Sequence, residues 1–430
     1  MSPKNSITLG AVGDISYLSG VNAGVRKHGH DWPFDLMRPY LQSVDILFGN
    51  MECVFLPPDY PQKQVDPRAL IAPFPGADIA ASLARAGFGF LNLAENHILD
   101  AGVLGMNYTR KMLESAGIVT GGVGNSQIEA RKLVTVERGG VVVGFLCYCE
   151  DNNYVLGTRG PCHAFYERDA VIADVEQARK DVDVLVVSVH ADIEFMPVPS
   201  LPRRTTFREI ASAGANVILG HHPHVPQGCE MYEGSLIAYS LGNFLFPAQT
   251  SRYMRGKLPR TAQSFLLKIQ VGPAGVSSFE RVPIEIRGGE KERPVPLQGV
   301  DADALLRYFA QLDGHLEDEA FLRETWRNVA TTHLAKYLKQ ALNIPSESAV
   351  QKKVRGLLAR LGLGIRPKPN VDRVVDELVT RLCLTQENRL WMEEILRMGI
   401  EAHEVRVSAE TDPYHRPSFR FEHPDKRTAR

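Results

Sequence analysis

No apolar run in the sequence approaches the roughly 20 residues that a membrane span needs; the longest are of strand length. Residues 1–6 are polar and a strand pattern starts at Ile7. No basic stretch leads into a long apolar one there, so neither a secretory signal nor a membrane span is expected. Charge of one sign is equally missing: 49 Lys and Arg stand against 50 Asp and Glu. That balance argues against a generally basic nucleic-acid coat, and no nucleic-acid partner is expected. Cysteine is scarce, six in 430 residues at irregular spacing. This excludes a disulfide scaffold and fits a reduced, cytoplasmic setting. Cys147 and Cys149, inside the apolar run 141–149, read as buried thiols. Nucleotide and nucleophile signatures are missing too. The glycines of 121–124 lack the Lys-Ser/Thr of a P-loop, Gly87-Phe88-Gly89 makes no dinucleotide fingerprint, and no Gly-x-Ser-x-Gly elbow occurs.

What the sequence does have is one design used six times. A short apolar run ends abruptly in a polar cluster at 7–12 (Gly13-Asp14), 44–48 (Gly49-Asn50-Met51-Glu52) and 88–94 (Glu95-Asn96-His97). The same happens at 182–189 (His190), 216–219 (Gly220-His221-His222-Pro223-His224) and 235–239 (Ser240-Leu241-Gly242-Asn243). Helical patterns at 77–86, 103–116, 168–180 and 201–213 lie between several of these runs, which reads as an α/β fold. In such folds ligands sit at the carboxyl ends of the strands, where these polar clusters fall. Two hairpins, turning at Arg138-Gly139-Gly140 and at Gly272-Pro273-Ala274-Gly275, read as antiparallel sheet extensions.

The clusters carry metal-ligand chemistry, though each has a plainer reading. Asp14 alone reads as a turn or helix cap, with Gly13 before it allowing a close backbone approach to a bound group. Glu52 alone reads as a surface residue. Asn96 offers a neutral oxygen, and His97 beside it suits a general acid with Asp100 fixing its ring; a loop histidine with a capping aspartate fits equally. His190 ends a very apolar run and reads alone as a core histidine. His221-His222-Pro223-His224 is the sharpest signal, since a His-x-His pair after a strand can place two imidazoles on one side of a sheet edge. Asp192 and Glu194 read either as supporting carboxylates or as an exposed loop. Arg203-Arg204 and Arg252…Arg255 read either as anion binders or as solvated charges.

Taken in order, Gly13-Asp14, Gly49-Asn50-Met51-Glu52, Ala94-Glu95-Asn96-His97-Ile98-Leu99-Asp100, Val187-Ser188-Val189-His190, Gly220-His221-His222-Pro223-His224-Val225-Pro226-Gln227 and Tyr239-Ser240-Leu241-Gly242-Asn243-Phe244 resemble the CapA family. These are poly-γ-glutamate capsule biosynthesis proteins, a branch of the calcineurin-like metallophosphoesterases. The resemblance covers roughly residues 7–286. It implies a four-layer α/β/β/α sandwich with a two-metal site at the strand ends. It implies Asp14 and His224 as ligands of a first metal, Glu52 as the bridging carboxylate, Asn96, His190 and His222 as ligands of a second, and His97 as proton donor. Three positions depart from the pattern: Ser16 stands in place of a ligand histidine, and Glu95 and Asp192 add negative charge.

The resulting expectation is a metal-dependent, phosphoesterase-like hydrolase linked to capsule or exopolymer synthesis. It would use one or two divalent ions (Mn, Fe or Zn) on an anionic small-molecule or polymer substrate. The rival is a non-catalytic, metal-stabilised accessory that docks capsule or exopolymer assembly proteins. The expected domains are a metallophosphoesterase-like domain at 1–288, a helical C-terminal appendage at 289–405 and a polar, weakly ordered tail at 406–430. Helical patterns at 301–312, 318–341, 346–361 and 371–398 mark the appendage, which is expected to pack on the core.

Overall fold

A computed structural model describes residues 6–60, 69–150 and 160–329. The helical patterns beyond 329 and the tail at 406–430 lie outside the described residues. The strands of the two large sheets, in chain order, are β1 (Ile7–Ile15), β2 (Ile46–Met51), β3 (Phe88–Asn92), β4 (Val119–Gly121), β5 (Val134–Arg138), β6 (Val141–Cys149) and β7 (Val184–His190). They continue as β8 (Val217–His221), β9 (Cys229–Tyr232), β10 (Ser235–Ala238), β11 (Asn243–Leu245), β12 (Gln263–Gly272), β13 (Gly275–Arg287) and β14 (Arg293–Pro296). The helices used below are α1 (Ser19–His28), α2 (Gly76–Ala86), α3 (Gly102–Ser115), α4 (Arg168–Ala178), α5 (Leu201–Ser212), α6 (Arg252–Arg255) and α7 (Gly299–His315).

Two mixed sheets result. The first has the order β14-β13-β12-β1-β2-β3-β4, with β11 pairing the end of β1. The second has the order β9-β10-β8-β7-β6-β5. Each has a parallel centre, β1-β2-β3-β4 in one and β6-β7-β8-β10 in the other. The two hairpins read from the sequence are the antiparallel pairs β5–β6 and β12–β13.

Side-chain alternation along the strands builds the layers. Phe48 and Phe90 of the first sheet stack on Phe145 of the second, at ring-centroid distances of 6.1 and 4.0 Å. Their chain neighbours Leu47 and Leu91 join a core with Val21 and Val25 of α1, Ile79 and Leu83 of α2, and Met106 and Leu113 of α3. On the other sheet, Leu146, Leu185, Val187 and Ile218 pack with Val171 and Val175 of α4 and Phe207 and Ile210 of α5. The order is therefore helices, sheet, sheet, helices, the expected four-layer sandwich. Among the described residues no helix is long and apolar enough to cross a membrane. None of the five described cysteines is in a disulfide, and all five are buried.

Two glycines let chain segments touch at the strand ends. A Cβ on Gly13 would lie 1.8 Å from the Gly242 carbonyl oxygen, and one on Gly220 would lie 1.8 Å from that of Tyr239. Gly13 therefore admits the backbone that leads into β11, where the sequence suggested the approach of a bound group; Asp14 N–H donates to the same Gly242 carbonyl at 3.0 Å.

The compact unit that holds both sheets ends at Leu322, and a second begins at Arg323. The helix α7 lies in the first of these units. Within it, α7 lies on β13 and β9: Phe309 meets Phe265 edge-on at 4.9 Å, and Asp313 accepts two hydrogen bonds from Arg281 at 2.7 and 2.8 Å.

Candidate metal centre

The parallel strands of both sheets end side by side, and their polar clusters meet there. Asp14 near the end of β1 and Glu52 just past β2 face His224, which follows β8. His224 Nε2 is 3.4 Å from Glu52 Oε1, and Nδ1 is 3.4 Å from Asp14 Oδ2. One ligand atom from each of the three falls within 4.8 Å of the others, and all three residues are buried. Asp14 Oδ2 and both carboxylate oxygens of Glu52 have no hydrogen-bond partner among the described residues. Buried carboxylate oxygens left unpaired are costly. Two carboxylates and an imidazole with open lone pairs are the donor chemistry of a divalent ion, so the residues fit one.

The Asn243 side chain orients His224. Its Nδ2 donates to the carbonyls of His224 (3.1 Å) and Thr261 (2.9 Å), which turns Oδ1 toward His224 Nδ1 at 2.9 Å. Nδ1 is then the N–H donor, and in the neutral ring Nε2 keeps its lone pair for the side where Glu52 lies.

A second set lies beside the first. His190 Nε2, at the end of β7, is 2.8 Å from Asn96 Oδ1 and 3.1 Å from His222 Nδ1. Asn50 joins the two sets: its Nδ2 donates to Asp14 Oδ1 at 2.8 Å and sits 3.1 Å from His190 Nδ1. Its orientation is fixed from the backbone. Ala94 N–H donates to Asn92 Oδ1, Asn92 Nδ2 donates to Asn50 Oδ1 at 2.7 Å, and Asn50 is left with its amine toward Asp14. His221 completes the floor, buried against Phe48 with Nδ1 3.4 Å from Asp14 Oδ1.

Electrostatics separate the two carboxylates. Burial works to raise Asp14, yet the imidazoles of His221 and His224 beside it hold it well below the usual carboxylate range. Glu52 is pushed well above it, first by burial and then by Asp14, Glu95 and Glu194. Burial depresses His190 well below an ordinary histidine, with His222 adding to the effect, and burial brings His222 to about 4. His224 moves up: burial is the largest single effect and works to lower it, but the carboxylates of Asp14 and Glu194 together with Asn243 outweigh it.

His97 stands at the edge of the site with one-fifth of its side chain exposed. Asp100 Oδ2 holds its Nδ1 at 2.8 Å and also accepts from Leu70 N–H. Glu95, buried, accepts from His97 N–H at 2.6 Å. The two loops carrying imidazoles are strained: His222 (φ 94°), His224 (56°), Asp192 (86°) and Phe195 (64°) all adopt left-handed backbone. Such residues cost about 1–3 kcal/mol each and gather at functional sites.

The structure brings together the expected ligands, Asp14, Glu52 and His224 in one set and Asn96, His190 and His222 in the next, and it pairs His97, next in the chain to Asn96, with Asp100. It removes Arg203 and Arg204 from the candidate anion binders. Arg203 is buried on Glu150 and stacks on Tyr166 at 4.4 Å, while Arg204 donates to the Leu316 carbonyl at 2.7 Å. Glu150 and Asn92 escaped the sequence reading; neither stands in a cluster of unusual chemistry. Asn50 and Asn243 stood inside the quoted motifs, but nothing in the motifs said which neighbour each amide would orient.

A family model described as bacterial capsule synthesis protein PGA_cap matches residues 8–248. The chain is 29% identical over 294 residues to the capsule biosynthesis protein CapA of Bacillus anthracis, covering 66% of this chain and 69% of that protein. It is likewise 29% identical over 292 residues to the PGA biosynthesis protein CapA of Bacillus subtilis (strain 168), covering 67% and 73%. A probable polyglutamine synthesis accessory protein of Mycobacterium tuberculosis is 32% identical over 167 residues, or 35% of this chain and 43% of that protein. Every residue from Asp14 to Asn243 described above falls inside the matched stretch, which is more than half of the sequence, and the chain belongs to the bacterial capsule synthesis PGA_cap family of metallophosphoesterase-like proteins.

Proposed function

We propose that this protein is a metal-dependent hydrolase, phosphoesterase-like in chemistry, that serves capsule or exopolymer synthesis. The observation that carries the reading is the adjacency of the two donor sets to a rim histidine backed by a carboxylate. Asp14, Glu52 and His224 would hold one divalent ion, and Asn96, His190 and His222 a second, with Glu52 between them. Mn, Fe or Zn suits such a mixed oxygen and nitrogen set. When bound, such ions lower the pKa of a water and stabilise charge developing on a phosphoryl or acyl oxygen.

The chain's own residues supply the rest. Asn50 holds Asp14, and Asn243 holds His224, so that neither turns away. Asp100 fixes the His97 ring at Nδ1, which leaves Nε2 as the atom that would hand a proton to the leaving group. The substrate class is an anionic ester or an anionic polymer. The test is the purified protein with Mn²⁺ and a generic phosphodiester, with and without His97→Ala. Turnover that needs both Mn²⁺ and His97 supports the reading; no turnover with metal bound overturns it.

The word "accessory" in the mycobacterial relative's name favours a second reading, a metal-stabilised protein that docks assembly partners without catalysis. Metal binding without turnover is its signature.

A further inference from the structure

Asp14, Glu52 and His224 give an ion three donors, whereas protein-bound transition metals take four or more. Ser16, two residues beyond Asp14, offers a buried neutral hydroxyl with no hydrogen-bond partner among the described residues. Glu194 approaches from the opposite side. Its Oε1 lies 3.9 Å from His224 Nε2, on the nitrogen that Asn243 leaves free to bind. Two ligands of one ion at metal–ligand distances of about 2.1 Å can stand no more than about 4.2 Å apart. The Glu194–His224 separation lies inside that span, as does the 3.4 Å between Glu52 and His224. Glu194 stands outside the tighter cluster in which one atom each of Asp14, Glu52 and His224 lie within 4.8 Å, so its carboxylate closes in on a bound ion from the His224 side.

Glu194 is built into place. Phe195 N–H donates to the Pro223 carbonyl at 2.8 Å, tying this loop to the His222–His224 turn. Two residues before Glu194, Asp192 N–H donates to Glu150 and Asp192 Oδ2 accepts from Ser200 N–H. The Tyr253 hydroxyl of α6 donates to Glu194 Oε2, while its ring meets Phe195 edge-on at 5.1 Å. With Oε2 so engaged, Oε1 is the oxygen on the His224 side. Only a quarter of the Glu194 side chain is exposed.

We propose that Glu194 is a fourth donor to the ion held by Asp14, Glu52 and His224, and that the Tyr253 hydroxyl keeps its carboxylate turned toward that ion. The inference rests on the metal-centre reading above. Three carboxylates with one imidazole make a hard, oxygen-rich set, which suits Mn²⁺ better than a softer ion.

The experiment is Mn²⁺ titration of the full chain, followed by calorimetry and by the electron paramagnetic resonance of free Mn²⁺. Glu194→Gln keeps shape and loses charge; it is expected to weaken one Mn²⁺ site by roughly tenfold or more and leave the other. Tyr253→Phe removes only the hydroxyl and is expected to fall in the roughly 10–100-fold range of lost supporting hydrogen bonds, weakening the same site. Near-UV circular dichroism confirms that each variant is folded. If Glu194→Gln binds Mn²⁺ with unchanged affinity and stoichiometry while Asp14→Asn loses a site, Glu194 is no ligand and the centre stands. If the unaltered chain binds no Mn²⁺ at all, the centre itself is overturned.

Discussion

His97 is the residue with the narrowest job. It lies at the edge of the two donor sets, partly open to solvent, with Asp100 on one ring nitrogen. His97→Ala is expected to keep the metal and lose about 10²–10⁴-fold in turnover on a substrate with a poor leaving group. With nitrophenolate as leaving group, which needs no proton, the loss should shrink. Equal losses on both substrates would assign His97 to structure or ligation instead. The imidazoles behind it are expected to act differently: His190→Ala and His222→Ala should each lower the metal content measured by elemental analysis. Unchanged content in both would remove the second set from the centre. These residues were legible because a ligand's chemical type is written in the sequence, and a strand end tells where it will stand. The amide chain from Ala94 through Asn92 to Asn50 was not. Its links are 2 and 42 residues apart, and only the pairing of β2 with β3 makes them neighbours.

Among the elements, α5 shows how a helix can hold a loop that carries a site. Ser200 caps it by accepting from Arg203 N–H, and Pro202 sits in its first turn, where its missing N–H costs nothing. The first turn then delivers Arg203 to Glu150, which follows β6 and accepts from the loop after His190. Both partners are buried, so Arg203→Met leaves an uncompensated carboxylate and is expected to cost about 3–5 kcal/mol in denaturant unfolding. A change under 1 kcal/mol would show that Glu150 finds another partner. From sequence Arg203 read as an anion binder or a solvated charge, because a helix pattern shows which face is apolar but not what a basic residue at its start will meet. The hairpins and the four crossover helices were legible, since turn residues and apolar spacing act locally. The place of α7 was not: Asp313 meets Arg281 and Cys229 N–H across the fold, and no local pattern encodes that.

For the molecule as a whole, pH is a usable probe. Burial brings His163 to about 4, and both its ring nitrogens lack a hydrogen-bond partner among the described residues. Its folded value lies below the unfolded one of about 6.5, so the unfolded chain takes up the proton first as pH falls. The stability it contributes is complete above about pH 6.5 and drains away down to about 4, to a total on the order of 3 kcal/mol. His163→Leu is expected to flatten that part of the melting-temperature profile; a profile as steep as before would place the proton elsewhere. Added Mn²⁺ is a second probe. At a hundred times its dissociation constant, an ion that binds only the folded state adds about 2.7 kcal/mol. The two sheets contribute unlike donors: Asp14, Glu52 and Asn96 come from strand ends of the first, and His190, His222 and His224 from those of the second. An ion seated among them is a rivet through two plates, the first presenting oxygen and the second, Glu194 apart, nitrogen. Its hold is then also a measure of how tightly Phe48 and Phe90 lie on Phe145, and loosening those rings should release metal even though none of them touches it.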